Sequence, residues 1–279
     1  MSPLVVFIED NHEYKAEGKV WKSANGVLDY FFPDFEEEYW KYYKAVEFLV
    51  PNFAAKKSKL KFPQISKPAE SWLKNVSKDF SEEEIQDAIN LISQKWDDSK
   101  TNGTYFHKKM EDKVIEKGYY EWNGNTYPVI LQEKQHDNQS FHDKLSDLKP
   151  GCYLEVILFF KFGNSYFLGT CDLLLLGEDG TFYLIDYKTN EKLSTGKGKK
   201  LDKPFENLDG SKMCKYACQL SLYALLLEMW GFKCGGLHIF HFKDYDEAQR
   251  KIYDVKYYKE EVKLMIEIYK TRVYQDIDF

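Results

Sequence analysis

The alternation of apolar and polar positions is most informative in the middle of the chain. Cys152–Phe162 is rich in β-branched, aromatic and leucine residues and predicts a strand; Gly163-Asn164 then turns it into a second run, Ser165–Thr170. Asp172 opens a stretch of four leucines, Gly177-Glu178-Asp179-Gly180 is a strong turn signal, and Thr181–Ile185 is another β-prone run ending in Asp186-Tyr187-Lys188. Two such runs around a Gly- and Asp-rich turn predict an antiparallel hairpin. Asp172 and Asp186 are equidistant from position 179, so the hairpin brings them to the same level on neighbouring strands. Side chains alternate along a strand, which puts Asp186 and Lys188 on one face and Tyr187 on the other. Two carboxylates and an ammonium therefore converge at one end of an otherwise apolar hairpin.

The rest of the pattern alternates helices with strands. Leu4–Ile8 and Lys19–Lys22 predict a hairpin, and Phe35–Val50 an aromatic-rich helix. Ser81-Glu82-Glu83-Glu84 reads as an N-cap and acidic first turn of a helix reaching about Trp96. Asn102–Lys117 predicts a further helix closed by Gly118, Met213–Trp230 one stopped by Gly231, and Lys259–Tyr274 an amphipathic last helix. Gly236–Phe242 predicts a strand, whereas the proline-containing basic stretch Lys56–Lys67 and the glycine- and lysine-rich stretch Leu193–Ser211 predict loops. The order helix, three strands, helix, strand implies an α/β fold around a mixed central β-sheet.

Composition narrows the setting. A 279-residue chain with 43% hydrophobic and 17% aromatic residues can bury a substantial core, and no apolar run is long enough to predict a membrane span. The N-terminal apolar run lacks the basic flank of a signal peptide, and five cysteines at 152, 171, 214, 218 and 234 fit no disulfide framework; the expectation is an intracellular, cytoplasmic protein with reduced thiols. The net charge of −6 excludes a surface that coats nucleic acid indiscriminately but leaves room for a local basic channel. Arginine occurs only at Arg250 and Arg272, so any phosphate contacts fall to lysines, and the bias suggests an AT-rich coding source such as a phage or a low-GC bacterium.

The hairpin carboxylates point to divalent-metal chemistry. Hydrolysis of a phosphodiester is helped by a cation that polarises the phosphoryl oxygen, activates water and neutralises the leaving oxygen, and two ions can clamp both oxygens. Mg2+ and Mn2+ favour carboxylate oxygens and retain waters, so two or three protein ligands suffice. Asp172 and Asp186 suit that role, and the Lys188 ammonium can orient the attacking water, help to deprotonate it and offset developing charge.

Gly169-x-x-Asp172 followed by Asp186-x-Lys188 resembles the PD-(D/E)XK nuclease superfamily, in its RecB-like and Cas4-like branch, which includes phage and mitochondrial single-strand DNA exonucleases. Three further matches occur in the same order: Gly103-Thr104-Tyr105-Phe106-His107-Lys108-Lys109-Met110-Glu111 is similar to the branch's helical G-T-x-x-H-x-x-x-E motif, Glu155 lies on the strand before the hairpin, and Gln219-Leu220-Ser221-Leu222-Tyr223 is similar to its Q-x-x-x-Y helix. The resemblance covers about residues 101–242 and implies a restriction-endonuclease-like core. It implies metal ligation by His107, Asp172, Asp186 and the Tyr187 backbone carbonyl, with Glu155 as a second-metal or outer group. It implies Lys188 as the catalytic lysine, and Gln219 and Tyr223 as groups that position lysine, water or DNA. Glu111, one turn beyond His107, reads as a salt-bridge partner. Lys197, Lys199, Lys200 and Lys203, in the loop before the Gln219 helix, are candidates for DNA phosphates.

His238 and His241 alternate faces of a core strand, which argues against a zinc site. Some relatives carry an iron–sulfur cluster on an upstream Cys and a C-terminal Cys triplet; that triplet is absent after the last strand, so no cluster is expected. The aromatics Tyr30, Phe31, Phe32, Tyr39, Trp40, Tyr42 and Tyr43 read mainly as core, with base stacking as the alternative. His12-x-Tyr14, Gly18 and Ser23 are similar to the start of some such exonucleases, but Ser23-Ala24-Asn25 stands where those usually show Ser-Val-Thr.

The expected organisation is an N-terminal hairpin and helical cap over residues 1–100 and a nuclease core over 101–279. The expected activity is that of a Mg2+- or Mn2+-dependent deoxyribonuclease with one or two ions. The favoured form is an exonuclease on single-stranded DNA ends in replication, recombination or repair, working with proteins of those pathways and with no membrane partner. A structure-dependent DNA or RNA endonuclease on the same core is the alternative, and a non-cleaving nucleic-acid-binding protein on a nuclease fold the third. Oligomeric state is left open.

Overall fold

Strand alternation and helix capping build the fold described by a computed structural model. It describes the backbone outside positions 1–4, 9–12, 17–18, 34, 51–79, 132–147, 163–164, 194–199 and 276–279. The predicted basic loop Lys56–Lys67, the Gly163-Asn164 turn, and Lys197 and Lys199 lie outside the described residues.

The strands are β1 (Val5–Ile8), β2 (Glu13–Ala16), β3 (Lys19–Ser23), β4 (Tyr119–Trp122), β5 (Asn125–Pro128), β6 (Gly151–Phe162), β7 (Ser165–Leu176), β8 (Thr181–Lys188), β9 (Lys233–His241) and β10 (Lys251–Asp254). The helices are α1 (Ala24–Asp29), α2 (Glu37–Leu49), α3 (Glu82–Lys117), α4 (Lys212–Met229) and α5 (Lys259–Gln275). The central mixed sheet runs β6-β7-β8-β9-β10; only β8 and β9 are parallel, joined by α4 as the crossover. Helices flank the sheet, the α/β arrangement that the sequence pattern predicts and one consistent with the restriction-endonuclease-like core that the resemblance implies. β3 adds to this sheet through a short parallel pairing, Lys22 with Phe167 and Ser23 with Leu168, and carries β1 and β2 with it.

Two apolar layers sandwich the sheet. Leu174, Leu176, Phe182 and Leu184 pack with Leu220, Ala224 and Leu227 of α4 and with Val262 and Met265 of α5. Leu173, Leu175, Ile185 and Tyr187 pack in a second cluster with Phe106 and Val114 of α3. The four leucines of β7 thus divide between the layers, and all are at most 2% exposed. Full burial of each side chain stabilises by about 1.5–3 kcal/mol before conformational entropy is subtracted.

The chain divides into two compact units, one of residues 1–33 with 106–279 and one of residues 34–105. In the smaller unit Val46 and Ile85 form a cluster with Tyr39, Tyr43, Leu49 and Phe80. There Ser81 accepts from the Glu84 amide at 3.2 Å while Glu84 accepts from the Ser81 amide at 2.7 Å, the reciprocal capping box that its sequence signature predicts.

Three local expectations change. The predicted hairpin between Leu4–Ile8 and Lys19–Lys22 is a three-strand meander, because β2, the polar-rich Glu13-Tyr14-Lys15-Ala16, intervenes and pairs with both. The two helices predicted over 81–96 and 102–117 are one 36-residue helix. A glycine inside a helix costs only about 1 kcal/mol, and the buried Ile85, Ala88, Ile92, Phe106 and Val114 keep a helical stripe on both sides of Asn102-Gly103. The β4–β5 hairpin lay unread in the sequence although Asn123-Gly124 marks it: both residues have positive φ, 48° and 78°, as a tight two-residue hairpin turn requires.

Candidate metal centre

The predicted hairpin is in place and in the predicted register. Leu173 pairs with Ile185 through to Leu176 with Phe182, which makes Asp172 and Asp186 the next opposed pair. Asp179 fastens the turn, accepting from the Thr181 amide at 2.9 Å and its hydroxyl at 2.8 Å, and Gly180 has φ 74°. The backbone ladder stops at Leu173–Ile185. Beyond it, the Tyr187 amide donates instead to Asp172 Oδ2 at 2.6 Å. The seam between β7 and β8 thereby ends on a carboxylate rather than a carbonyl.

Three elements bring ligating atoms to that point. α3 supplies His107, whose Nδ1 lies 3.5 Å from Asp172 Oδ2. β6 supplies Glu155, and donor atoms of His107, Glu155 and Asp172 lie within 4.8 Å of one another. Glu155 has φ 47° in the middle of a strand. That left-handed conformation is rare for a non-glycine residue and concentrates at functional sites. Asp186 stands outside this cluster: its Oδ2 lies 2.5 Å from Lys188 Nζ. The Lys188 ammonium is the ion-pair partner of this buried oxygen, and no other side chain among the described residues pairs with it.

The charges are strongly coupled. Burial pushes the Asp186 carboxyl up, to about 6, against the pull of Lys188. Burial pushes Asp172 the same way, but contact with His107, the Lys188 charge and the Tyr187 amide outweigh it and hold its carboxyl below the usual range. For His107, burial disfavours the charged ring, yet Asp172 more than offsets this and raises its pKa. Lys188 is depressed by burial but raised overall by Asp186 and Asp172, so it stays an ammonium.

An imidazole and two carboxylates at these spacings fit a hard divalent cation, and Asp186, opposite Asp172 in the hairpin, offers a further carboxylate. Such an ion needs a free nitrogen on His107 and an ionised Asp186, and both groups hold protons more tightly than usual. Proton competition therefore weakens ion binding as pH falls through about 6, whereas Asp172, already ionised, does not set the window. Calorimetry with Mn2+ at pH 5.5 and 7.5 should show markedly tighter binding at the higher pH and greater proton release per ion bound at the lower one, where the ligands still carry the protons the ion displaces; equal affinities would count against these ligands.

Gln219 and Tyr223 share a face of α4, with Gln219 Nε2 donating to the Tyr223 hydroxyl at 3.0 Å. Tyr223 is buried and sits on Gly169: a Cβ added there would lie 2.3 Å from its ring. The glycine of the Gly169-x-x-Asp172 motif is thus the floor beneath a tyrosine. The Tyr187 ring packs against Phe240 and Phe242, away from the charges, and meets the His107 ring edge-on. Glu111 pairs with Lys108 at 2.9 Å. Lys200 and Lys203 are exposed. His238 pairs with Asp254 at 2.8 Å, and His241 with the Asn190 carbonyl at 2.6 Å. Sequence reasoning missed Tyr216 and Asn190: Lys188 Nζ lies 4.6 Å from the centre of the Tyr216 ring, whose hydroxyl lies 3.2 Å from Asn190 Oδ1. The signal was present, since Tyr216 precedes Gln219 by three residues on the same helix.

No family model and no curated protein matches the chain. Among solved structures, a protein called SSO0001 superposes with a TM-score of 0.34 and 15% identity over 71% of this chain; the chain spans 66% of that protein's length. A protein from Eubacterium rectale named "putative exonuclease" superposes with a TM-score of 0.35 and 14% identity, covering 91% of this chain and 80% of that one. Likenesses this loose leave the function to the chain's own residues. Among the described residues, no helix is long and apolar enough to cross a membrane.

Proposed function

We propose that the chain is a divalent-metal-dependent nuclease of the PD-(D/E)XK superfamily, acting as an exonuclease on single-stranded DNA ends. The observation that carries this reading is the convergence of His107, Glu155 and Asp172 beside a buried Asp186–Lys188 pair at the open end of a hairpin. His107, Asp172 and Asp186 would hold Mg2+ or Mn2+, with Glu155 and the Tyr187 carbonyl as further donors. A bound ion supplies Lewis acidity toward the phosphoryl oxygen and the attacking water. Lys188, kept protonated by its two carboxylate neighbours, orients that water and offsets charge growing on the phosphate; as an ammonium it is a donor rather than the base. Gln219, held by Tyr223, positions the strand or the water, and Lys200 and Lys203 contact DNA phosphates. Phe35 and Phe48, which expose large parts of their rings, would contact bases.

Incubation of linear and circular single-stranded DNA with the protein and Mg2+ tests this. Digestion of the linear form alone is expected. Cutting of circles would replace the exonuclease by an endonuclease, and loss of neither DNA with Mg2+ or Mn2+ would overturn the nuclease reading.

A further inference from the structure

The Lys188 ammonium does not hang free over the hairpin end. It lies 2.5 Å from Asp186 Oδ2 and 4.6 Å from the centre of the Tyr216 ring. The carboxylate contact holds one side of the ammonium and leaves the rest of its surface to other neighbours. An aromatic face attracts a desolvated ammonium and fixes the side from which it is approached. Tyr216 is only partly exposed and is itself held. It projects from α4, its hydroxyl lies 3.2 Å from Asn190 Oδ1, and the Asn190 carbonyl accepts from His241 Nε2 at 2.6 Å. The Lys188 carbonyl in turn accepts from the Phe242 amide at 2.8 Å. The ring, the segment after β8 and the end of β9 therefore close a frame around one side chain.

We infer that Tyr216 is a positioning residue whose ring holds the Lys188 ammonium toward the Asp172–Asp186 end of the hairpin. The ring face does the holding, while the hydroxyl only ties the ring to Asn190. Tyr216→Phe then keeps the function and Tyr216→Leu removes it. The inference rests on the nuclease reading for its kinetic consequence, but the placement of Lys188 is testable without turnover. An aromatic ring over the lysine tip shifts the Lys188 Cε protons upfield, measurable in protein labelled with 13Cε-lysine and assigned by the loss of that signal in Lys188→Arg.

The experiment compares the full-length wild type with Tyr216→Phe and Tyr216→Leu, using Tyr216→Met in place of Leu if melting shows that the Leu variant is unfolded. Readouts are the Lys188 shift, Mn2+ affinity, and kcat and KM on linear single-stranded DNA with Mg2+. The upfield shift should persist in Phe and vanish in Leu or Met. kcat should fall about tenfold to a hundredfold in Leu or Met with KM and Mn2+ affinity unchanged, and be near wild type in Phe. A shift that survives in Leu or Met, or is absent from the wild type, overturns the inference, as does an unchanged kcat in Leu or Met. A wild type that shows the predicted shift pattern but cleaves nothing upholds the placement of Lys188 and refutes the nuclease reading instead.

Discussion

Replacing Lys188 by alanine should abolish cleavage while leaving the fold and nucleic-acid binding in place. The ammonium is the one cation in direct contact with Asp186 among the described residues, and both carboxylates favour its charged form. Loss of a preorganised donor at developing phosphate charge costs about 10²–10³ in rate, and more where the same group also orients the water. The fold should survive because Asp186, with its carboxyl already pushed up to about 6, can take a proton once its partner is gone. Asp186→Asn should be equally inactive for a different reason, the loss of an anionic oxygen beside the cluster, and should also weaken Mn2+ binding. Lys188→Ala should recover Mn2+ binding as the pH is raised enough to ionise Asp186, which Asp186→Asn should not do at any pH. Active-site titration with Mn2+ and initial rates on end-labelled DNA separate the two; an active Asp186→Asn protein would refute the site.

The largest effect on stability near the centre is expected at Gly169. Its backbone lies against the Tyr223 ring, so an alanine Cβ would sit 2.3 Å from one ring carbon and 2.7 Å from the hydroxyl oxygen. Those contacts are with a fully packed side chain on α4, not with a mobile tip, so strand or helix must move. Overpacking of this kind costs about 1–3 kcal/mol. Gly169→Ala should lower the denaturation midpoint accordingly. In a Tyr223→Leu background the same change should cost less, since the atoms it collides with are gone. Additive effects would show that Tyr223 is not what makes glycine necessary. The substitution should also reduce activity by displacing Gln219, which Tyr223 holds at 3.0 Å.

Elements governed by local chemistry were legible in the sequence. The β7–β8 hairpin is written in its turn and in two β-prone flanks, and those fix its register to the residue: Asp172 and Asp186 oppose as their spacing from position 179 demands. Capping marks Ser81, which accepts from the Glu84 amide as its signature predicts. What stayed hidden depends on tertiary approach. No neighbouring residue announces that Glu155 takes φ 47°, because that conformation is imposed by the strand's surroundings. Gly169 reads as one glycine in a motif until α4 lays a tyrosine over it. Tyr216 goes unremarked in its helix because its value lies in what β8 presents to it. Helix α3 reads as two helices, one to about Trp96 and one from Asn102, because the polar stretch between them carries no information about the packing that keeps it helical.

The central claim is that His107, Glu155, Asp172, Asp186 and Lys188 form a divalent-metal centre that hydrolyses phosphodiesters. The most direct measurement is nucleotide release from end-labelled linear single-stranded DNA by purified wild-type protein, with Mg2+ or Mn2+ and with EDTA, beside Lys188→Ala. Release is expected with either ion, none with EDTA and none from the variant. Undiminished release from Lys188→Ala or in EDTA, or no release by the wild type with either ion, would contradict the claim.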